Sequence, residues 1–150
     1  MYGFSITLGM IALLGVGFFR GCQTPQKMQP VATTVSPIDQ QIARGGAVYA
    51  RHCAACHGSS GEGSQQGPVL VGSGALPRKP RSDSSRQAEF RTALDVAQFV
   101  TQSMPPDKAR RQSIAEEDYW ALLAFALSAN GVSLTEPVTP HNAQRLVLHP

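Results

Sequence analysis

The sequence predicts an all-α protein: a small domain of three to five helices, preceded by an N-terminal apolar helix. Three observations carry this. Apolar residues recur at helical spacing in several stretches, most of them opened by a capping residue. No stretch alternates with the two-residue period of a strand, and no internal repeat is visible. The segments in between are rich in Gly, Pro and Ser, which end helices rather than join them. A chain of 150 residues holds one such domain plus an N-terminal segment.

Residues 1–19 contain no Asp, Glu, Lys or Arg. A helix of that length rises about 28 Å, close to the hydrocarbon thickness of a bilayer. It has no polar face to turn to water, so residues 1–22 read as an export signal, a membrane anchor, or both. The first basic side chain, Arg20, follows the apolar run instead of preceding it. Gly21-Cys22 resembles the end of a bacterial lipobox, which makes Cys22 a candidate for lipid attachment. A cleaved signal, a retained helix and an acylated Cys22 are the three alternatives, and the last two tether the domain. Residues 23–36, polar and with two prolines, form a linker. The domain itself is expected over 37–150, with a tail from about 132.

Ser36-Pro37-Ile38-Asp39 is a helix start, with Ser at the N-cap, Pro in the first turn and an acid at the third position. Ile38, Ile42, Gly45 and Tyr49 then share one face, and the helix runs into Cys53-Ala54-Ala55-Cys56-His57. Residues 58–68 hold Gly58, Gly61, Gly63 and Gly67 and form a loop. Residues 73–89 are irregular and basic. A second helix is expected from about Ala93 to Ser103, capped by Thr92, with Val96, Phe99 and Val100 inward. It stops at Met104-Pro105-Pro106. The last helix is expected to open with a capping box, Ser113 to Glu116, and to stop at Asn130-Gly131. Tyr119, Leu122, Phe125 and Ala126 form its inner face, and the Pro-containing tail drapes over the domain.

The chemistry lies in the C-x-x-C-H run at 53–57, the pattern of covalent haem c attachment. Two thiols one helical turn apart can each add to one vinyl group of the same porphyrin. The following imidazole can then bind the iron, for which a proximal His is a common ligand. Zinc would need four ligands, and the one other cysteine, Cys22, is distant in sequence. A thioredoxin-like dithiol would need a βαβ context, and a plain disulfide would not require His57. The net charge of +3, without basic residues interleaved with aromatics, gives no sign of nucleic-acid binding.

Together these stretches resemble the class I cytochrome c family, over roughly Ile38 to Gly131. Gly45-x-x-x-Tyr49, the haem motif, Gly67-Pro68-Val69-Leu70-Val71-Gly72, Met104-Pro105 and Leu122-x-x-Phe125 stand in the family's order. The resemblance implies thioethers at Cys53 and Cys56, His57 as proximal ligand, and a hydrogen bond from its free ring N–H to the Pro68 carbonyl. It implies Met104 as distal ligand, and a close crossing of first and last helices at Gly45, with Tyr49 near Leu122 and Phe125. Residues 73–89 depart from the family pattern, so it assigns no haem-propionate partners. The residues themselves also favour Met104. The other methionines, Met1, Met10 and Met28, lie in the leader and linker. His52 is next to Cys53 on the proximal side, and His141 and His149 sit in the tail, where surface positions are expected.

The expected protein is a membrane-tethered, single-haem electron carrier on the periplasmic or outer side of a bacterial inner membrane. It carries single electrons between redox partner proteins and is not itself an enzyme. It could equally serve as a subunit of a larger respiratory or photosynthetic complex, or of a periplasmic dehydrogenase. A gas-binding haem protein with an open iron site would require Met104 to be off the iron. The basic residues of 78–91, with Lys108, Arg110 and Arg111, are either a steering surface for an acidic partner or an ordinary solvated face.

Overall fold

A computed structural model describes residues 34–82, 84 and 86–149. The apolar run 1–19, Cys22 and most of the linker lie outside the described residues. Among the described residues, no helix is long and apolar enough to cross a membrane. The fold is all-helical: α1 (Pro37–His52), α2 (Ala54–His57), α3 (Ala93–Ser103), α4 (Lys108–Gln112) and α5 (Glu116–Ala129), followed by a 3-10 turn at Ala143–Arg145. The β pairing among the described residues is an isolated antiparallel bridge between Thr92 and Val147.

The central element is α5. Tyr119, Ala121, Leu122, Leu123, Ala124 and Leu127 are all buried, and a helix apolar on nearly every side can only be stable when surrounded. On one side, α1 crosses it at Gly45. A Cβ there would collide with the Ala121 carbonyl and lie 2.8 Å from Phe125 Cβ, so only glycine permits this approach. Tyr49 then packs its ring on Phe125, with centroids 5.4 Å apart. On another side, α3 buries Ala93, Val96 and Ala97 in a cluster with Leu123, Ala124 and Leu127.

The helix ends follow local chemistry. Ser36 Oγ accepts from the Asp39 amide, as expected. Thr92 and Asp95 form a full capping box on α3. The box expected on α5 does not form. Ser113 instead ends α4, a short helix not foreseen, and its hydroxyl donates to the Arg110 carbonyl at 2.7 Å. Ala115 therefore stands at the α5 N-cap without a side-chain bond, although Glu116, Glu117 and Asp118 still fill the first turn. At the other end Gly131 takes φ +81° and stops the helix.

The tail is tied down more firmly than draping implies. Gln41 brackets Val138 from both sides, donating to its carbonyl and accepting from its amide, each at 2.8 Å. Val138 and Ala143 are buried in the α3–α5 cluster. The chain then returns to α3, where the Ala93 amide donates to Leu146 O at 2.9 Å. His149 is half-buried, not a free surface residue, and its Nε2–H donates to the Leu76 carbonyl at 2.8 Å.

The basic stretch before α3 is not uniformly exposed. Arg86 is 5% exposed. Its guanidinium donates to four carbonyls, those of Pro77, Arg78, Lys79 and Ala88, at 2.7–3.0 Å. It also lies 3.8 Å over the Phe90 ring. Arg78 and Arg91 both pair with Glu89. Arg86 therefore organises the loop instead of facing solvent, whereas Lys79, Arg81 and Arg91 remain exposed.

Candidate cofactor site

Between α1, the 58–71 loop, the 76–90 segment, α3 and α5 lies a cavity of about 560 Å³. That falls within the range of cofactor pockets, roughly 300–1,000 Å³. Its walls are largely apolar, with Leu70, Val96, Phe99, Val100 and Leu123 among them. Cys53, His57, Pro68 and Met104, four of the residues singled out in the sequence, line this one cavity. Cys56 does not line it but stands one turn from Cys53, its amide donating to the Cys53 carbonyl at 3.1 Å. Both thiols are free and half-buried.

His57 is held in one orientation. Its Nδ1 lies 2.8 Å from the Pro68 carbonyl, and a carbonyl can only accept, so Nδ1 carries the proton. That leaves the Nε2 lone pair available to a metal, with a hydrogen bond behind it that raises its basicity. Gly67 makes the contact reachable. A Cβ there would lie 2.8 Å from the Cys56 carbonyl and 2.9 Å from His57 Nδ1, so a larger residue would push the loop away. The hydroxyl of Tyr49 anchors the same turn from α1, donating to Gly58 O at 2.6 Å.

Met104 comes from the C-cap of α3 and is joined to Pro105 by a cis peptide bond. Two contacts that the sequence did not suggest hold this region. The Tyr119 hydroxyl lies 2.9 Å from Met104 O, and Arg111 donates to Pro105 O at 2.7 Å. Asn130 ties the 58–71 loop to the end of α5, donating to Leu70 O and accepting from the Gly72 amide. Asn130 served only as a stop signal in the sequence, and nothing local to it pointed to residues 70–72.

The residues fit a covalently held haem. Burial pushes the Cys53 thiol up to about 11, with the charge of Arg110 opposing and Cys56 adding. Among the described residues there is no group of three His, Cys, Asp or Glu side chains that could hold a metal ion. An apolar cavity lined by one thiol, a fixed imidazole and a thioether, with a second thiol one turn away, suits a porphyrin with iron at its centre.

An all-helical domain with this cavity and this motif is a c-type cytochrome domain. The chain belongs to the family described as cytochrome c oxidase, cbb3-type, subunit III, which matches residues 40–125. It is 31% identical over 108 residues to the thiosulfate dehydrogenase of Stutzerimonas stutzeri (strain A1501), a match covering 70% of this chain and 34% of that protein. In structure it is similar to a chain of the sulfane dehydrogenase SoxCD from Paracoccus pantotrophus, with a TM-score of 0.51 and 32% identity. That match covers 71% of this chain and 52% of the other. The chain thus spans only a third to a half of the length of these relatives. Membership makes this a domain that carries covalent haem c and works in electron transfer.

Proposed function

We propose that the chain is a single-haem electron carrier in which Cys53 and Cys56 hold the porphyrin as thioethers and His57 and Met104 are the axial ligands. The observation that carries this reading is the meeting of Cys53, the Pro68-bonded His57 and Met104 in one apolar cavity. Haem c bound there supplies a one-electron Fe(III)/Fe(II) couple. The protein's part is to orient and to exclude water. Pro68 fixes the proximal ring, and the apolar walls from α3 and α5 keep the dielectric low. A thioether at the distal position favours the ferrous state. With both axial positions taken, substrate chemistry falls to a partner, and the chain is not itself an enzyme.

The tether, through a retained apolar segment 1–19 or a lipid on Cys22, belongs to the same proposal, with the domain on the periplasmic side of a bacterial inner membrane. A second reading is favoured by the relatives' names. Both are dehydrogenases of sulfur compounds, and the chain matches a part of each, as an electron-accepting subunit would. The partner would then be a dehydrogenase module, not a freely diffusing protein.

Purification from native membranes tests all of this together. Haem should resist acid–acetone extraction and stain at the protein's own band on a denaturing gel. Cys53→Ala or Cys56→Ala should leave at most one thioether by mass. Extractable haem would overturn the attachment. Release without detergent would overturn the tether, and stable co-purification of a dehydrogenase would select the second reading.

A further inference from the structure

Three consecutive carbonyls, those of Met104, Pro105 and Pro106, follow the end of α3. Two of these residues are prolines and have no N–H, so this turn cannot be held by its own backbone donors in the way an ordinary turn is. Two side chains supply what is missing. Arg111 Nη1 donates to Pro105 O at 2.7 Å and to Pro106 O at 3.1 Å. The buried Tyr119 hydroxyl lies 2.9 Å from Met104 O and 3.0 Å from Arg111 O. Both of its neighbours are acceptors, so its single proton is shared between the two ends of the 104–111 segment. Tyr119 sits on the first turns of α5, the most enclosed helix of the fold, and is 8% exposed. The segment carrying Met104 is thus fastened at both ends to the core by one phenol, with Arg111 bracing its middle.

We infer that Tyr119, braced by Arg111, is a positioning residue that keeps Met104 in the cavity and so sets how firmly the distal side is closed to other ligands. The inference rests on Met104 as the distal ligand. An external ligand takes that place when the Met104 thioether withdraws, and as the turn that carries it opens, the Met104 carbonyl leaves the Tyr119 hydroxyl. A net hydrogen bond of ordinary strength makes that about fivefold harder. Tyr119 touches the ligand's backbone and needs no contact with iron, so its effect should appear in ligand exchange before it appears in assembly.

The test uses the full-length ferric holoprotein and imidazole as the competing ligand. The weak near-infrared band of Met sulfur on ferric haem reports Met104, and its loss on titration gives the imidazole affinity. Tyr119→Phe keeps the ring and should raise that affinity about fivefold. Arg111→Met should raise it by a smaller factor. Gln41→Met, which removes two side-chain bonds to Val138 away from the cavity, measures general loosening of the domain. An unchanged affinity in Tyr119→Phe, or an equal rise in Gln41→Met, overturns the inference. If Tyr119→Phe yields no holoprotein, an unchanged affinity in Arg111→Met does so. Absence of the band from the wild-type protein would instead remove the ligand assignment beneath it.

Discussion

Two adjacent glycines on α1 should respond to the same substitution with opposite signs. At Gly45 the Cβ of alanine would overlap the Ala121 carbonyl and approach Phe125 Cβ to 2.8 Å. The obstacle is helix backbone, which cannot rotate aside, so α1 and α5 must separate along the line where Val48, Tyr49, Leu122 and Phe125 pack. Overpacking of this kind costs up to about 3 kcal/mol. The better helix propensity of alanine returns about 1 kcal/mol. The net is a loss of about 2 kcal/mol, or about 8 °C in Tm for a domain of this size. At Gly46 the new Cβ would lie 3.5 Å from the Phe125 ring, an ordinary contact. Gly46→Ala should therefore keep only the propensity gain, about 1 kcal/mol. Thermal unfolding of the two holoproteins, followed by far-ultraviolet circular dichroism, gives the comparison. A Gly45→Ala protein as stable as Gly46→Ala would refute the close crossing of α1 and α5.

Three further outcomes are expected. Arg86→Leu strands the carbonyls of Pro77, Lys79 and Ala88, whereas Arg78 O keeps the Phe90 amide, and should cost about 3 kcal/mol in chemical denaturation, with Arg86→Lys intermediate because an ammonium has only three donors. Thr92→Ala removes the α3 cap and should cost about 1 kcal/mol. Burial alone would raise the Asp95 carboxyl, but bonds from Thr92 and the Arg91 amide outweigh it and hold it below the usual range. Its contribution is therefore complete above the ordinary Asp pKa of about 4 and is lost as pH falls through the lower folded value. Asp95→Asn should flatten that part of the stability–pH curve, and an unaltered acid limb would contradict the assignment.

Elements whose signals are local were legible in the sequence. Ser36, Pro37 and Asp39 start α1, Thr92 and Ser103 bound α3, and Gly131 ends α5, each through residues within a turn of the boundary. The cofactor motif is equally local, and His57 and Pro68 meet across a loop that Gly67 allows to close. What escaped depends on neighbours that only folding supplies. Ser113 looked like the cap of α5 because α4, a single short turn capped by Asp107, was not recognised as its competitor. Arg86 looked like surface charge because the carbonyls it serves converge only once the 77–90 loop is closed. Tyr119 read as a core aromatic, and its hydroxyl's partners lie 8 and 15 residues away. The leader, the linker and Cys22 keep their reading from sequence alone.

The most direct test of the proposed carrier is exposure of the purified ferrous holoprotein to carbon monoxide at neutral pH. With His57 and Met104 both on the iron, the visible spectrum should remain that of the six-coordinate ferrous protein. Ferrous Met104→Ala should bind carbon monoxide, and its ferric form should lack the near-infrared sulfur band. Rapid, stoichiometric binding by the wild-type protein would contradict the account, because Met104 would then not close the iron, and a gas-binding or catalytic role would replace electron carriage.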